Sequence, residues 1–406
     1  MSGRTSSTFQ HLPRRRFAAA ALSMALSLST WTALAAPPRP VLLGIDGEFG
    51  LDNSTSAQAV ELGMRAAVAE INAAGGVLHG RPLQIAIKDH RSIPARGIRN
   101  IQEFAAMPDL VAVFGGRFSP VVIEELPTLR ATHTLFLAPW SSADVIVDND
   151  MHPNYVFRLS LRDSLAMPRL LQAAQRRGLK RIGLLLTNTS WGRSNAEAAT
   201  RAADKMPAMQ IVDTSWYNWR DTSLVDKYQH LRAAGAQAVV LVANDDEAAI
   251  LVREVAALPK EQRLPLLSHW GVTGGDFAAQ AGPALRQVDL SVIQTFSFFR
   301  ADPARVRRFL DSAAKVSTVR RIEDIKSPVG AAQAYDLTHL LALSIDRAGS
   351  ADRKAVRDAL EHLGTYRGLV KTYAPPFTPA RHEALGPEQL LLARYRADGV
   401  LVPADD

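Results

Sequence analysis

The segment FGGRFSP, residues 114–120, places an arginine and a serine where an apolar stretch gives way to a predicted helix. Backbone amides and a hydroxyl group at the start of a helix suit the binding of an anion. Arg117 would either clamp a carboxylate through two hydrogen bonds or point into solvent. Together with Phe118 and Ser119 it makes this segment a candidate anion-binding loop.

Two tryptophans also lie in loops that follow apolar stretches. Trp140 precedes Ser141 and Ser142 in PWSS, and Trp191 begins WGRS. A tryptophan buries a large apolar face while keeping one hydrogen-bond donor, so Trp191 would either cover a ligand or fill the core of its own loop. The serines would either contact a ligand or cap helices.

A third pair of loops adds a histidine and an acidic cluster. His269 and Trp270 follow the apolar start of LLSHWGVTGGDF. His269 could donate a hydrogen bond, yet a lone histidine is more often structural than a ligand or a base. Asn244 and Asp245 begin NDDE, whose acids either pair for acid–base work or complement the dipole of a helix that starts there. We favour the helix start.

Motifs of enzyme catalysis and of cofactor binding are missing from the sequence. It has no G-x-S-x-G, no H-E-x-x-H and no P-loop, and its ten histidines lack the spacing of metal ligands. The glycines of VLLGIDGEFG are spaced G-x-x-G-x-x-G, and the candidate acid Asp89 comes 42 residues after Gly47, whereas a dinucleotide fold needs about 20. We therefore predict no catalytic residue, no metal and no cofactor.

Charge and composition exclude several further classes. Of 406 residues, 47% are apolar and 21% are charged, which is typical of a globular protein long enough for two domains. The net charge of +7 falls to +3 without the four arginines of the first 35 residues. The remainder has no basic cluster interleaved with aromatic residues, so we expect no nucleic-acid partner. The absence of cysteine excludes disulfides and thiolate metal sites.

Residues 1–35 have the composition of an export signal. Arg14 and Arg15 precede Phe17 as in a twin-arginine signal, an apolar stretch follows, and ALA at 33–35 suits a signal peptidase. The alternative is a membrane anchor, but serines and threonines dilute the apolar stretch and APPRP follows it. We expect a cleaved, periplasmic protein without stable membrane insertion, exported by either the twin-arginine or the general secretory route.

After residue 40, short β-branched stretches alternate with amphipathic ones. This alternation is typical of parallel sheets that helices cover on both faces. It predicts an α/β fold, and two doubly wound, Rossmann-like lobes explain it better than one. The predicted strands are 41–45, 83–88, 110–114, 133–138, 181–187, 210–216, 238–243, 265–270 and 289–296.

The helix after the opening glycine turn can be predicted in detail. Apolar residues three or four apart give residues 60–71 one core-facing side. Thr55 and Gln58 are predicted to form a capping box. Gly75 and Gly76 are predicted to end the helix in the left-handed conformation.

The sequence resembles type I periplasmic binding proteins of the leucine/isoleucine/valine-binding kind. In the first half the resemblance lies in AVELGMRAAVAEINAAGGVLHGRPLQIAIKDH, DLVAVFGG and FLAPWSSAD. It continues through SWGRSNAEAA, DTSLVDKYQHLRAAGAQAVVLVAN and GAAQAYDLTHLLALSIDRAG. These segments span nearly the whole chain after the export signal. Proteins of this family capture a small molecule for an ABC importer.

The resemblance implies a hinge of three chain crossings between the two lobes. The non-helical passages 155–160 and 295–305 lie between the two sets of predicted strands, and hinges absorb rotation at a few such positions. The lobes implied are an N-terminal one of residues 38–158 with 290–364, and a C-terminal one of residues 159–289 with 365–406.

The resemblance also implies roles in a ligand cleft. In the family, loops at the positions of Ser119, Ser141 and Ser142 hold the ligand's carboxylate, and an aromatic residue at the position of Trp191 packs against the ligand. Amino-acid binders of the family place a carboxylate just before the glycine of another loop to neutralise the ligand's ammonium. Here that position is held by Trp270.

With Trp270 in place of that carboxylate, an ammonium group of a ligand would have no counter-charge in this loop. A buried ammonium without a counter-charge is costly, so two alternatives remain. Either Asp245, Asp246 or Glu48 supplies the counter-charge, or the ligand has no ammonium. We favour the second, a carboxylate or other polar ligand held between aromatic side chains, namely Phe118, Trp191 and Trp270.

The predicted function is a periplasmic receptor that delivers its ligand to an ABC transporter permease. A different-class alternative is an exported enzyme on the same scaffold, with His269 or the acidic cluster at Asp245 as its catalytic group. Another is a ligand-sensing module for a membrane sensor kinase. We expect a monomer whose binding partner is a small molecule.

Overall fold

Two β-sheets, each flanked by helices, organise residues 38–52 and 54–404, which are the residues that the computed structural model describes. The predicted export signal lies outside the described residues. In chain order the strands are β1 (Val41–Gly47), β2 (Leu83–Asp89), β3 (Leu110–Gly115), β4 (Leu135–Ala138), β5 (Val156–Arg158), β6 (Arg181–Thr187), β7 (Gln210–Tyr217), β8 (Ala238–Val242), β9 (Leu266–Ser268), β10 (Leu290–Gln294), β11 (Tyr366–Arg367), β12 (Thr372–Tyr373), β13 (Leu391–Tyr395) and β14 (Leu401–Pro403).

The α-helices alternate with these strands along most of the described chain. They are α1 (Ser56–Ala73), α2 (Pro94–Ala105), α3 (Ser119–Thr132), α4 (Asp163–Arg176), α5 (Ser190–Ala203), α6 (Val225–Ala233), α7 (Asp245–Ala257), α8 (Phe277–Ala281), α9 (Pro303–Val316), α10 (Pro328–Ala348) and α11 (Arg353–Leu360).

The first lobe is built on a five-stranded sheet in the order β2-β1-β3-β4-β5, with every pairing parallel. Every residue of its central strand β3, LVAVFG, is buried. Such a continuous apolar run is expected for a strand that is covered on both faces. Helices α1, α2, α3, α9, α10 and α11 pack on this sheet and on one another.

The second lobe is built on a seven-stranded sheet in the order β14-β13-β10-β9-β8-β6-β7. The five strands β10, β9, β8, β6 and β7 run parallel to one another. Strand β13 pairs antiparallel with β10, and β14 pairs antiparallel with β13. Helices α4 to α8 flank this sheet. The predicted α/β fold with two doubly wound lobes is therefore confirmed.

The chain crosses between the lobes three times. It leaves the first sheet after β5, returns after β10 to form α9 to α11, and crosses again between β12 and β13. Two predicted lobe boundaries need correction. Strand β10 was assigned to the first lobe, but it pairs with β9 and β13 of the second, so this boundary lies after Gln294.

The boundary predicted at residue 364 also lies too early. The backbone N–H groups of Leu369 and Val370 donate to the carboxylate of Asp336 in α10, at 2.7 and 2.8 Å, and the hydroxyl of Tyr373 donates to it at 2.7 Å. The β11–β12 hairpin is thus fixed to the first lobe. Hydrophobic periodicity shows that a strand exists, but it does not show which sheet the strand joins.

Helix α1 is confirmed, but its predicted N-terminal cap is wrong. The Thr55 side chain makes no capping hydrogen bond; its Oγ1 instead lies 2.6 Å from Ser327 Oγ. At the other end Gly75 and Gly76 have φ values of 109° and 73°, which glycine adopts without the penalty of a Cβ atom, as predicted. Helix α1 packs so closely on α10 that a Cβ atom at Gly63 would lie 2.1 Å from a backbone oxygen.

Within residues 38–52 and 54–404, no helix has the length and apolar character needed to cross a membrane.

Candidate functional site

A cleft between the lobes collects the loops that follow strands of both sheets. Ligands of open α/β sheets bind beyond the carboxyl ends of the strands, so this is the place where a binding site is expected. The cleft contains a small cavity. Its volume of about 10 Å³, measured as the space available to the centre of a water molecule, is enough for one water molecule. Its lining residues are Arg117, Phe118, Ser119, Pro120, Trp140, Ser142, Trp191, Trp219, Asn244, Trp270 and Gly271.

Most residues predicted for the site are brought together there. Ser141, Asp245 and His269 do not line the cavity, although all three are buried beside it. The eight predicted residues that line it are Arg117, Phe118, Ser119, Trp140, Ser142, Trp191, Asn244 and Trp270. Their contact with a ligand stays a prediction.

Arg117 and Asp245 form an ion pair across the cleft. Arg117 follows β3 in the first lobe, Asp245 is the first residue of α7 in the second, and Nη1 of the arginine donates to Oδ1 at 2.7 Å. The two side chains are only 6% and 2% exposed. Burial alone would lower the pKa of Arg117, but Asp245 and Glu48 outweigh it and raise the pKa. Arg117 therefore does not point into solvent.

An aromatic ring packs against this guanidinium. The Arg117 Cζ atom lies 4.7 Å from the ring centre of Phe118, a cation–π distance. Phe118 in turn makes an edge-on contact with Trp219 of the second lobe, with ring centres 5.3 Å apart. The charge is thus held in a water-poor setting between the lobes.

Trp219 is a cavity residue that sequence reasoning missed. It comes two residues after the end of β7, so the same rule that selected the other loops would have found it. Gly271 was also missed as a lining residue. A Cβ atom there would lie 2.6 Å from the ring of Trp191, so glycine lets this loop approach the tryptophan closely.

The three serines differ in their hydrogen bonds. Ser119 Oγ accepts from the backbone N–H groups of Ser142 and Ala143, at 3.1 and 3.2 Å, and so ties two loops of the first lobe together. Ser142 Oγ accepts at 3.1 Å from Nε1 of Trp191 in the second lobe. Ser141 Oγ is buried and makes no hydrogen bond with the described residues.

A second aromatic contact joins the lobes at the floor of the cleft. The ring centres of Trp140, from the first lobe, and Trp270, from the second, lie 5.5 Å apart. Both side chains are almost fully buried. Trp270 fills the position at which the resemblance implied a carboxylate, so this part of the cleft is apolar.

His269 lies behind the cavity in a structural environment. Its Nε2 is 3.2 Å from a carboxylate oxygen of Asp163, the first residue of α4, and both side chains are fully buried. Trp191 packs edge-on against the imidazole ring at 5.1 Å between centres. The geometry suits a residue that supports Trp191.

Glu48, considered above as a counter-charge, is engaged within the first lobe. It is fully buried, accepts a hydrogen bond from the Ser56 hydroxyl and lies 3.3 Å from the backbone nitrogen of Arg117. His90 Nε2 is 3.8 Å away. Asp246 is exposed, so Asp245 is the acid that faces the cleft from the second lobe.

A larger cavity of about 440 Å³ lies at the flank, between segments 275–286, 297–299, 322–328 and 395–401. Lys326 and Asp276 form an ion pair there at 2.8 Å, with side chains 56% and 35% exposed. Exposed pairs of this kind are well solvated. The smaller cavity, in the cleft between the lobes, is the better candidate for the ligand site because its charged and aromatic side chains are buried and converge.

No group of His, Asp or Glu side chains in the described part of the chain is arranged to hold a metal ion.

Comparisons with known proteins agree with this architecture. The chain is 22% identical over 333 residues to a Leu/Ile/Val-binding protein homologue of Brucella abortus, covering 81% of this chain and 84% of that protein. A type 1 periplasmic binding protein of Bordetella pertussis superposes with a TM-score of 0.80 at 21% identity, over 90% of this chain and all of that one.

Two solved structures of the same fold contain ligands. A Streptococcus pneumoniae branched-chain amino acid substrate-binding protein in complex with isoleucine has a TM-score of 0.74 at 18% identity, over 90% of this chain and 100% of that one. A Rhodopseudomonas palustris solute-binding protein in complex with p-hydroxybenzoic acid has a TM-score of 0.76 at 16% identity, over 90% of this chain and 96% of that one. The model of the periplasmic binding protein family matches residues 41–399, and the chain belongs to that family.

Proposed function

We propose that this protein is a solute receptor that closes its two lobes around one small, carboxylate-bearing molecule and delivers it to an ABC importer. The observation that carries the proposal is the position of Arg117. It is a buried guanidinium that lines an aromatic cavity at the carboxyl ends of strands from both lobes. A guanidinium in such a place suits a carboxylate, which it can bind through two parallel hydrogen bonds.

Closure is supported by a set of direct contacts between the lobes. Besides the Arg117–Asp245 pair, the backbone N–H of Thr55 donates to the Gly274 carbonyl at 2.9 Å. The Ser327 hydroxyl donates to the Thr273 carbonyl at 2.7 Å. These contacts bring the loop after β9 against the first lobe. They lie in loops and at the starts of helices rather than within the sheets, as expected of an interface that opens by rotation about a hinge.

The size of the cavity requires such an opening. Pockets that hold small ligands commonly measure about 300–1,000 Å³, far more than the space in the closed cleft. A solute therefore enters only after the lobes separate and the tryptophans move apart. Ligand binding then shifts the population between open and closed forms by its difference in affinity for the two.

Delivery to an importer and a periplasmic location are supported by membership of the family and by the predicted export signal. The relatives named above bind an amino acid in one structure and an aromatic acid in another. Both ligands carry a carboxylate, which is the group that Arg117 suits. We propose only that the ligand of this protein also carries a carboxylate.

Native mass spectrometry of the purified protein tests the proposal. We expect a fraction with the added mass of one small solute, and a rise in melting temperature when the recovered solute is added back, since a ligand that binds only the folded state stabilises it. A panel of carboxylates, amino acids and amides identifies the group recognised. Recovery of a chemically altered solute would instead support an exported enzyme, and binding restricted to amides would contradict the carboxylate.

A further inference from the structure

We propose that the flank cavity is a second ligand site, that it takes a small aromatic anion, and that its occupation favours closure of the lobes. The flank cavity is the one of about 440 Å³ described above, between segments 275–286, 297–299, 322–328 and 395–401. It is separate from the cavity in the cleft, so the inference goes beyond the proposed function. Only its last part, the effect on closure, relies on the hinge motion of the receptor.

The first support is the space and its aromatic wall. Sites for small molecules commonly measure about 300–1,000 Å³, and the flank cavity has this size without any movement of the lobes. Three aromatic side chains line it, namely Phe298, Phe299 and Tyr395. Phe299 is 39% exposed, although the guanidinium of Arg396 lies 5.9 Å from its ring centre. A flat aromatic ligand that covers this ring removes apolar surface from water, which is favourable.

The second support is a cation of the wall that lacks an acid. The other two cations are paired, Lys326 with Asp276 at 2.8 Å and Arg396 with Asp398 at 2.5 Å. Arg286 is exposed and makes no hydrogen bond or ion pair with the described residues. A guanidinium can bind a carboxylate through two parallel N–H bonds, so an anionic group is the charge that this wall lacks.

The remaining acid of the wall, Glu323, acts on a cation that is already paired. Asp398 and, less strongly, Glu323 raise the pKa of Arg396. Each acid of the wall is therefore opposed by Lys326 or by Arg396. This leaves Arg286 open to an anion, whereas a cationic ligand would have to displace an existing partner.

The third support is a segment that the two cavities share. Trp270 lines the cavity in the cleft, and the chain then continues into Asp276 and Ala278, which line the flank cavity. The turn between them packs against Arg117, since a Cβ atom at Gly274 would overlap Nη1 of the arginine. One side of this segment thus faces the cleft site and the other faces the flank.

Helix α8 adds a contact with the other member of the cleft ion pair. The Nε2 atom of Gln280 lies 3.5 Å from Oδ2 of Asp245. Ala278 and Ala279 of the same helix line the flank cavity. A ligand that packs on α8 is therefore separated from the cleft ion pair by a single layer of residues.

The effect on closure follows from the origin of the walls. Segment 322–328 belongs to the first lobe and α8 belongs to the second, and the pair of Lys326 with Asp276 joins them. Separation of the lobes pulls these walls apart. A ligand that touches both walls therefore binds the closed arrangement more tightly than the open one and shifts the population toward it. By reciprocity, the solute in the cleft strengthens binding at the flank.

Calorimetric titration with 2-naphthoate tests the site. Two matched probes are 2-naphthamide, which keeps the rings but is neutral, and decahydro-2-naphthoate, which keeps the charge but is not aromatic. We expect 2-naphthoate to bind at least about twofold more tightly than either, since an exposed ion pair and an aromatic contact each contribute modestly. Equal binding of the amide excludes the anionic class, and equal binding of the saturated acid excludes the aromatic preference. A protein that does not bind 2-naphthoate rejects the site.

Substitutions in the wall locate the bound probe. Arg286→Gln should weaken 2-naphthoate about threefold to fivefold, because it removes the partner of the carboxylate. Ala279→Trp, at an exposed position of the wall, should fill the cavity and weaken the probe at least about tenfold. Arg394→Gln is the control, since this exposed arginine of β13 does not line the cavity; it should shift affinity less than about twofold.

A cleft variant separates the two sites. Arg117→Met removes the cation of the cleft, and the affinity for 2-naphthoate should stay within about threefold of the wild type, a change below the coupling typical of linked sites. Circular dichroism verifies that each variant is folded. If Arg117→Met abolishes binding while Arg286→Gln and Ala279→Trp leave it unchanged, the probe occupies the cleft and the proposal is wrong.

Energy transfer between labels at Glu124→Cys and Lys205→Cys, one in each lobe, measures the effect on closure. Saturating 2-naphthoate should shorten the mean distance between the labels, and Ala279→Trp should remove this response. A distance that stays constant or lengthens contradicts the coupling. The solute recovered after purification tests the receptor function separately, so failure of the flank site and failure of the proposed function give different results.

Discussion

The indole of Trp191, at the start of α5 in the second lobe, donates a 3.1 Å hydrogen bond to the hydroxyl of Ser142 in the first lobe. The bond crosses the cleft beside the solute cavity, and His269 supports the other side of the indole. Trp191 therefore links closure of the lobes to the wall of the site.

Trp191→Phe should shift the solute-free protein toward the open form. The phenyl ring keeps most of the apolar contact but loses the interlobe hydrogen bond, which is worth about 0.5–1.5 kcal/mol and so changes the closure equilibrium by about two- to tenfold. Because the chain has no cysteine, labels at Glu124→Cys and Lys205→Cys report the interlobe distance by energy transfer. Trp216→Phe, at an exposed position of β7, is the control and should leave the distance unchanged.

Glu383→Gln should destabilise the fold. Glu383 accepts hydrogen bonds from Nε of the fully buried Arg158 at 2.9 and 3.0 Å, where β5 leads into the first crossing. Removing one partner of a buried ion pair leaves the other charge uncompensated and costs roughly 3–5 kcal/mol. Urea unfolding measures this loss. The exposed pair of Arg396 and Asp398 gives the control, since Asp398→Asn should change the free energy of unfolding by less than about 1 kcal/mol.

Stability should fall as the pH rises through neutrality, because burial raises the pKa of Glu125 in α3 to about 7. The folded state then holds a proton that the unfolded chain releases near its ordinary pKa of about 4.5. The contribution is fully present below that value and is lost as the pH rises through about 7. Burial and the nearby Glu125 also raise the pKa of Asp46, so this carboxyl group contributes to the same loss of stability with rising pH.

The substitution Glu125→Gln isolates this effect. It removes the titrating group, so the slope of unfolding free energy against pH between about 5 and 7 should become shallower than in the wild type. Chemical denaturation at a series of pH values gives the slope. Glu124→Gln, at the exposed adjacent position, should leave it as it is. Identical slopes for the wild type and Glu125→Gln would contradict the assignment.

Gly63→Ala should separate α1 from α10. The added methyl group would lie 2.1 Å from the Ala331 carbonyl oxygen, which is backbone and cannot rotate away. Overpacking of this kind costs about 1–3 kcal/mol, sometimes more. The thermal midpoint should fall accordingly. Gly364→Ala places its methyl group with no atom within 4 Å and should leave the midpoint near that of the wild type.

Replacement of Arg14 and Arg15 by lysine tests the export signal. A twin-arginine route needs the arginine pair, so the double variant should accumulate inside the cell as the uncleaved precursor. N-terminal sequencing of the exported wild-type protein should begin at Ala36. Normal export of the double variant would indicate the general secretory route.

Local sequence patterns predicted most of the strands and the loops of the site. All nine predicted strands exist, because continuous apolar runs such as LVAVFG are buried on both sides of a sheet. Strand β5 lies within the predicted hinge passage 155–160, and the sequence patterns predict none of the strands after residue 365. Strands β5, β11, β12 and β14 have only two or three residues each, too few for a periodic pattern, and β13 pairs with the distant β10.

The site was predictable as a set of loops but not as a set of contacts. The rule that ligands lie beyond strand ends found Arg117, Trp140 and Trp191, and it would have found Trp219 had the end of β7 been examined. The pairing of Arg117 with Asp245 depends on how the lobes meet, which local periodicity does not encode. For the same reason the capping role expected of Thr55 was replaced by a contact with Ser327.

The place of β10 within the second sheet has a consequence for biosynthesis. One side of β10 pairs with β9, but the other side pairs with β13, whose residues 391–395 follow about 100 positions later in the sequence. Until those residues are available, one edge of β10 presents an open row of backbone donors and acceptors, a template for unwanted pairing with other chains. The sheet of the second lobe can therefore be completed only after residues 391–395 have been synthesised, which leaves β10 exposed to mispairing during that interval.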